Sequence, residues 1–273
     1  MSMGKVIATI VFALWAGIAA AQEVVVAALG DSLTQGYGLP AEQGFVPQLE
    51  GWLQAKGEAV RVINAGVSGD TTAGGLARVD WTLTPDVDAL IVTLGGNDLL
   101  RGLPPEASRA NLDGIVSTAA ERGVAVLVIG MQAPGNYGPD YKAAFDAMYP
   151  EIAETHGALY LDSFFAGLGG PAVDPAGLRA FLQPDGIHPN ARGVARIVEG
   201  VGPSVRALIA GRMTCRAGSF SRTLCRPSRA RWALMQDWSA MSPPAPTSRR
   251  ARRSSFMTAA CAGCAGGLCP SGA

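Results

Sequence analysis

The amino-acid sequence predicts an α/β protein, a three-layer α/β/α sandwich around a five-stranded parallel sheet. Three observations carry this expectation. Five short runs are rich in Val, Ile, Leu and Ala, helical patterns lie between them, and polar, glycine-rich segments follow them directly. Runs that are apolar throughout, rather than alternating, mean strands covered on both faces. Strand and helix in alternation then give a sheet with helices on either side and right-handed crossovers.

The chain is 273 residues long and 48% hydrophobic, enough for a sizeable core. Lys5 precedes the 16 uncharged residues VIATIVFALWAGIAAA, which end in Ala19, Ala20 and Ala21 before Gln22. This is the layout of a secretory signal peptide cleaved after Ala21. The rival, a membrane anchor, is disfavoured because a span needs about 20 residues. The expected location is therefore periplasmic or secreted, with no membrane span left after cleavage.

The first strand is VVVAALG, residues 24–30, and GDS follows it. Ser32 there is a candidate nucleophile, but serine is common at helix starts as a hydrogen-bonding cap, so local sequence favours the plain reading. Phe45, Leu49, Trp52 and Leu53 share one helical face before the second strand, VRVINAG at 60–66. The loop NAGVSGDTT, 64–72, follows, in which Gly66 and Gly69 suit a turn, as does Gly74 just beyond it. The third strand, ALIVTLG at 89–95, leads to Gly96, Asn97 and Asp98, where Asn97 and Asp98 read as a capping pair.

Leu99, Leu100 and Leu103 fall in LLRGLPP, and contact with a substrate's apolar part and burial at the start of the next helix remain equal readings. Pro104 and Pro105 suit that helix's start, Leu112, Ile115, Val116 and Ala119 its buried face, and Gly123 its end. The fourth strand is VAVLVIG at 124–130. Tyr141, Phe145, Met148 and Ile152 mark a helix before the fifth, ALYLD at 158–162. His156 sits at the end of that helix, where a basic side chain facing solvent suits the helix dipole. Asn190 is the expected N-cap of a last helix carrying Val194, Ile197, Val198 and Val201, interrupted at Gly202 and Pro203.

Open parallel sheets place their sites at the carboxyl ends of the strands, where the polar segments fall. A serine nucleophile needs a base, an orienting acid and donors for the oxyanion. The chain has two histidines, and His188, in QPDGIHPN, has Asp185 three residues before it. Asp31 reads as structural, bonded to local backbone. The HExxH, GxSxG and GxxxxGK patterns are absent.

Gly30-Asp31-Ser32-Leu33, then Gly69, then Gly95-x-Asn97-Asp98, then Asp185-x-x-His188, resemble the four blocks of the SGNH, or GDSL, hydrolases in their order. GLARV, GGNDLLRGLPP, NYGPDYKAAFDAMYPEIA and DGIHPN bring the chain nearer to the thioesterase I branch, bacterial acyl-CoA thioesterases with lysophospholipase and arylesterase activities. The resemblance spans residues 24–208. It implies the flavodoxin-like SGNH fold, with Ser32 as nucleophile, His188 as base and Asp185 as orienting acid. The implied oxyanion donors are the backbone N–H groups of Ser32 and Gly69 and the Asn97 amide. It further implies a monomer hydrolysing small-molecule or lipid acyl esters and thioesters, without metal or organic cofactor.

Charge divides the chain. Residues 22–211 carry 11 Lys and Arg against 21 Asp and Glu, a balance of −10, whereas 212–273 carry ten Arg against Asp237, a balance of +9. An acidic core argues against a nucleic-acid partner, because phosphate contacts need a basic face. The expected organisation is a signal peptide at 1–21, a hydrolase domain at 22–211 and a disordered basic tail at 212–273, outside the hydrolase fold and suggestive of a shifted reading frame. All five cysteines lie in that tail. Cys261, Cys264 and Cys269 lack a fourth ligand at zinc spacing, so no metal is expected. The competing function is a non-catalytic exported binding module on the same fold, which would have no need of Ser32, Asn97, Asp185 and His188 together.

Overall fold

A computed structural model describes residues 23–169 and 175–217; the side chains of 175–176 and 212–217, and the remaining residues, are outside that description. The expected signal peptide therefore lies outside the described residues. So does the tail beyond 217.

Five strands form one parallel sheet: β1 Val24–Gly30, β2 Val60–Gly66, β3 Ala89–Thr93, β4 Ala125–Ile129 and β5 Leu159–Leu161. Their spatial order is β2-β1-β3-β4-β5, the flavodoxin-like order, in which the chain reverses direction across the sheet beside β1 and β3. Val24 pairs with Val60 and Val26 with Ala89, so β1 is held on both edges. Every residue of β1 and β3 is buried, as continuous apolar runs require.

The two edge strands depart from that expectation. In β2 burial alternates, with Val60 and Val62 inside and Arg61 exposed, and β5 is three half-buried residues rather than the expected five. An edge strand has neighbours on one side only. A charged side chain such as Arg61 is a common feature of such a strand.

Helices follow the strands as α1 Ser32–Gln35, α2 Phe45–Ala55, α3 Thr72–Thr82, α4 Gly96–Leu100, α5 Pro105–Glu121, α6 Pro139–His156, α7 Pro175–Arg179 and α8 Ala191–Ala217. Helices α2 and α8 pack together on one face of the sheet, and α3, α5 and α6 cover the other. Phe45, Leu49, Leu112, Ile115, Phe145 and Ile152 are buried between these layers, the positions that helical spacing selects. Helix α3 has no strong apolar stripe, because two glycines and threonines occupy much of its length. Each of the two glycines is crowded by a side chain, one from the segment after β3 and one from the loop before α3. A Cβ on Gly75 would lie 2.2 Å from Leu94 Cδ1, and one on Gly74 would lie 1.7 Å from Asp70 Oδ1. Gly74 thus serves packing within a helix rather than the expected turn.

Asn190 caps α8 as expected, its Oδ1 accepting from the N–H groups of Arg192 and Gly193 at 3.1 and 3.0 Å. The expected interruption at Gly202 and Pro203 does not occur. Proline removes one helical hydrogen bond, but here the helix is held against α2, with Gly202 so close to the Trp52 ring that a Cβ would sit 2.5 Å from it. The backbone helix also runs past residue 211, the expected end of the domain. Among the described residues, no helix is long and apolar enough to cross a membrane.

Candidate active site

Strand β1 ends at Gly30, and the chain turns at once into the single turn of α1. Asp31, not Ser32, is the N-cap: its Oδ1 accepts from the Leu33 N–H at 3.0 Å. Ser32 is the first residue of α1, which leaves its hydroxyl uncommitted to capping. That hydroxyl lies 2.9 Å from His188 Nε2. A helix of one turn has little macrodipole, so the field at Ser32 is that of a few free N–H groups rather than of a full helix.

His188 belongs to a loop closed by its own backbone. Leu182 pairs with Pro189, the Gln183 N–H donates to the His188 carbonyl at 2.7 Å, and Gly186 turns the chain at φ +70°. Within that turn Asp185 Oδ1 accepts from the N–H groups of Ile187 and His188 at 2.9 and 3.0 Å, while Oδ2 meets His188 Nδ1 at 2.7 Å. The histidine hydrogen bond first, and the two backbone N–H groups after it, hold the Asp185 carboxyl down at about 2. It is therefore an acceptor only, so Nδ1 carries the ring proton and Nε2 is free to accept from Ser32. The Gln183 amide donates to the Tyr37 carbonyl at 2.8 Å, and the Tyr37 ring lies 4.7 Å from that of His188. These contacts fix the loop against the turn after α1.

Gly69 follows β2 with φ +81°, a conformation that side chains other than glycine's adopt poorly. Both flanks of its N–H are anchored. The Ser68 N–H donates to Gln35 Oε1 of α1 at 3.0 Å, and Arg101 Nη2 donates to the Gly69 carbonyl at 2.8 Å. Below the loop Arg78 binds Asp70 at 2.7 Å and the carbonyls of Ala65 and Gly30 at 2.7 and 2.9 Å, tying together the ends of β2 and β1.

Asn97 lies on α4, after β3, and its Nδ2 donates to Asp31 Oδ2 at 3.1 Å. The expected capping role of Asp98 is realised on a different helix. Its buried carboxylate accepts from the Thr72 N–H at the start of α3 at 2.9 Å, and from the hydroxyls of Thr72 and Ser108 at 2.6 and 2.9 Å. Asp31 is the residue whose part sequence reasoning missed, because its second partner is 66 residues away. Burial pushes its carboxyl up to about 6, against the opposing pull of the Leu33 N–H, the Asn97 amide and the charge of His188.

The three leucines after Asn97 separate. Leu99 packs against the core, Leu100 is 63% exposed, and Leu103 is half-buried, its carbonyl accepting from the Tyr141 hydroxyl at 2.9 Å. The cleft that reaches Ser32 and His188 is lined instead by Leu33, Gly36, Tyr37, Leu39, Pro189 and Val194. A larger cavity, about 300 Å³, lies against β2 and α3 beside Trp81, away from Ser32.

His156 does not face solvent as expected. Its Nε2 lies 2.7 Å from Asp113 Oδ1, joining the end of α6 to α5, with 17% of its side chain exposed. The end of α6 leads into the start of β5, so this pair sits at the sheet edge opposite Ser32. Among the described residues no three His, Cys, Asp or Glu side chains gather as a metal site.

Residues 28–196 match the GDSL-like Lipase/Acylhydrolase family. The chain is 40% identical over 192 residues to "Esterase TesA" of Pseudomonas aeruginosa, covering 70% of this chain and 91% of the relative. It is 35% identical to "Thioesterase 1/protease 1/lysophospholipase L1" of Escherichia coli K12, over 59% of this chain and 74% of that one. Among solved structures it resembles AlinE4, described as an SGNH-hydrolase family esterase. Identity there is 41% and the TM-score 0.55, covering 68% of this chain and 96% of that one.

Proposed function

The chain belongs to the GDSL-like lipase/acylhydrolase family, and from that premise we propose that it is an exported serine esterase and thioesterase working through an acyl-enzyme on Ser32. The observation that carries the reading is the unbroken line of hydrogen bonds from Ser32 Oγ through His188 to Asp185, at 2.9 and 2.7 Å. Substrates of the proposed reaction are aryl esters, acyl-CoA thioesters and lysophospholipids. The names of the relatives, an esterase and a thioesterase/lysophospholipase, support that range.

In the first step Ser32 Oγ attacks the acyl carbonyl as its proton passes to His188 Nε2. Negative charge develops on the carbonyl oxygen, which the N–H groups of Ser32 and Gly69 and the Asn97 amide receive. His188 then gives the proton to the departing alkoxide or thiolate. Water repeats the sequence on the acyl-enzyme, returning Ser32 to its hydroxyl form and releasing the carboxylic acid. Asp185 stays ionised throughout, keeping the imidazole in the productive tautomer and stabilising its charged form.

Hydrolysis of p-nitrophenyl esters by the purified protein tests the proposal. Wild type is expected to turn over and Ser32→Ala to fall to background; a Ser32→Ala variant of undiminished rate would overturn it. Export is tested by the intact mass of the secreted or periplasmic protein, which should begin at Gln22.

A further inference from the structure

Asp31 carries more than a helix cap requires. A cap needs one acceptor, and Ser, Thr or Asn supplies it without placing a charge in the interior. Asp31 is 2% exposed, and only its Oδ1 is used on the Leu33 N–H. The other oxygen, Oδ2, reaches across to Asn97 Nδ2 at 3.1 Å. The approach is close: a Cβ on the neighbouring Gly96 would lie 3.3 Å from that same oxygen.

The consequence lies in the Asn97 amide. The last torsion of an asparagine side chain is broad and nearly two-fold, so its oxygen and nitrogen exchange places at little cost. For an oxyanion the two orientations are opposite in effect. An N–H stabilises it, whereas the amide oxygen repels it. A carboxylate accepts only, so the end of the amide that meets Asp31 is the NH₂ end. One N–H is then committed to Asp31, and the amide plane and the direction of the second N–H are fixed.

Resting on the proposed acyl-transfer reading, we infer that Asp31 is a positioning residue of the oxyanion site, holding the Asn97 amide so that an N–H faces the substrate carbonyl. It touches no reacting atom and acts through Asn97. The acceptor-only chemistry of a carboxylate explains why a charged residue occupies a buried cap where a neutral one would suffice for the helix.

The test is a double-mutant cycle on p-nitrophenyl butyrate hydrolysis, comparing wild type, Asp31→Ser, Asn97→Ala and the double variant, with thermal melts of each. Serine keeps the cap and cannot reach Asn97. Asp31→Ser is expected to retain the fold and the KM and to lose kcat by about 10- to 100-fold, within the roughly 10²- to 10³-fold loss of Asn97→Ala. The double variant is expected to match Asn97→Ala alone, because the two residues act as one unit. Losses that multiply in the double variant, or full kcat in Asp31→Ser, overturn the inference. Multiplied losses would point to a direct action of Asp31 on His188. If Asn97→Ala itself keeps full activity, the oxyanion assignment of Asn97 fails and the inference falls with it, while the Ser32 nucleophile stands or falls separately by Ser32→Ala. Asp31→Asn repeats the comparison with an isostere whose own NH₂ cannot serve both the Leu33 and Asn97 donors.

Discussion

The protein contains two histidine–carboxylate pairs, His188 with Asp185 at one edge of the sheet and His156 with Asp113 at the other. Both have the ring nitrogen 2.7 Å from a carboxylate oxygen, and the histidines are equally sheltered, at 18% and 17% exposure. Distance and burial do not separate them. The nitrogen used does. His188 binds its acid through Nδ1, which leaves Nε2, at the far tip of the ring, to reach Ser32. His156 uses Nε2 for Asp113, spending the reach of the ring on joining two helices. Among the described residues no hydroxyl is hydrogen-bonded to His156. A histidine beside an acid is thus a structural tie or the middle of a proposed proton relay, according to what its second nitrogen faces.

The largest expected contrast comes from removing each ring. His188→Ala should lower kcat for p-nitrophenyl esters by about 10⁶, and His156→Ala should leave it within twofold. The cost of the latter should appear in the melt instead, at about 1 kcal/mol or less for a partly exposed pair. Comparable activity losses from the two variants would erase the distinction.

The acids should follow the same division at a smaller scale. Asp185→Asn is expected to cost about 10⁴ in kcat, because the neutral amide no longer fixes the ring tautomer, whereas Asp113→Asn should leave kcat unchanged. Steady-state kinetics of the two variants side by side checks this.

Within the Ser32 edge, the two carboxylates associated with His188 differ in turn. Burial raises Asp31 to about 6 and hydrogen bonds lower Asp185 to about 2, each from 3.8. A raised carboxyl binds its proton more tightly folded than unfolded, so the stability it contributes is present below about pH 4 and lost as pH rises through 6. The rise of Asp31 from 3.8 to about 6 corresponds to about 3 kcal/mol. Between about pH 4 and pH 8, wild type should therefore lose about that much stability relative to Asp31→Asn, measured by urea unfolding across pH. Asp185 acts in the opposite sense, its contribution being present above about pH 4 and lost as pH falls through 2. Equal slopes for wild type and Asp31→Asn would contradict the burial account.

Much of this was legible in the sequence, for reasons that mark the boundary of such reading. The central strands β1 and β3 are apolar throughout because both faces are covered, and that is visible residue by residue. Asp185 and His188 lie within one tight turn, and Asn190 caps the helix it precedes. Contacts made through space were not legible. Asp31 finds Asn97, His156 finds Asp113 43 residues away, and Asp98 serves the start of α3 rather than its own loop. Helix α3 carries no strong apolar stripe in the sequence, glycine standing where it packs on Leu94. Likewise the local sequence leaves open whether Ser32 caps its helix, whereas the preceding Asp31 does that work and leaves the hydroxyl to His188.

The claim that His188, and not His156, activates Ser32 is tested most directly by the rate and site of covalent modification with a fluorophosphonate, mapped by mass spectrometry. The account predicts a single adduct on Ser32, formed at the wild-type rate in His156→Ala and strongly slowed in His188→Ala. An adduct on another residue, or one formed on Ser32 as fast without His188 as with it, would contradict it.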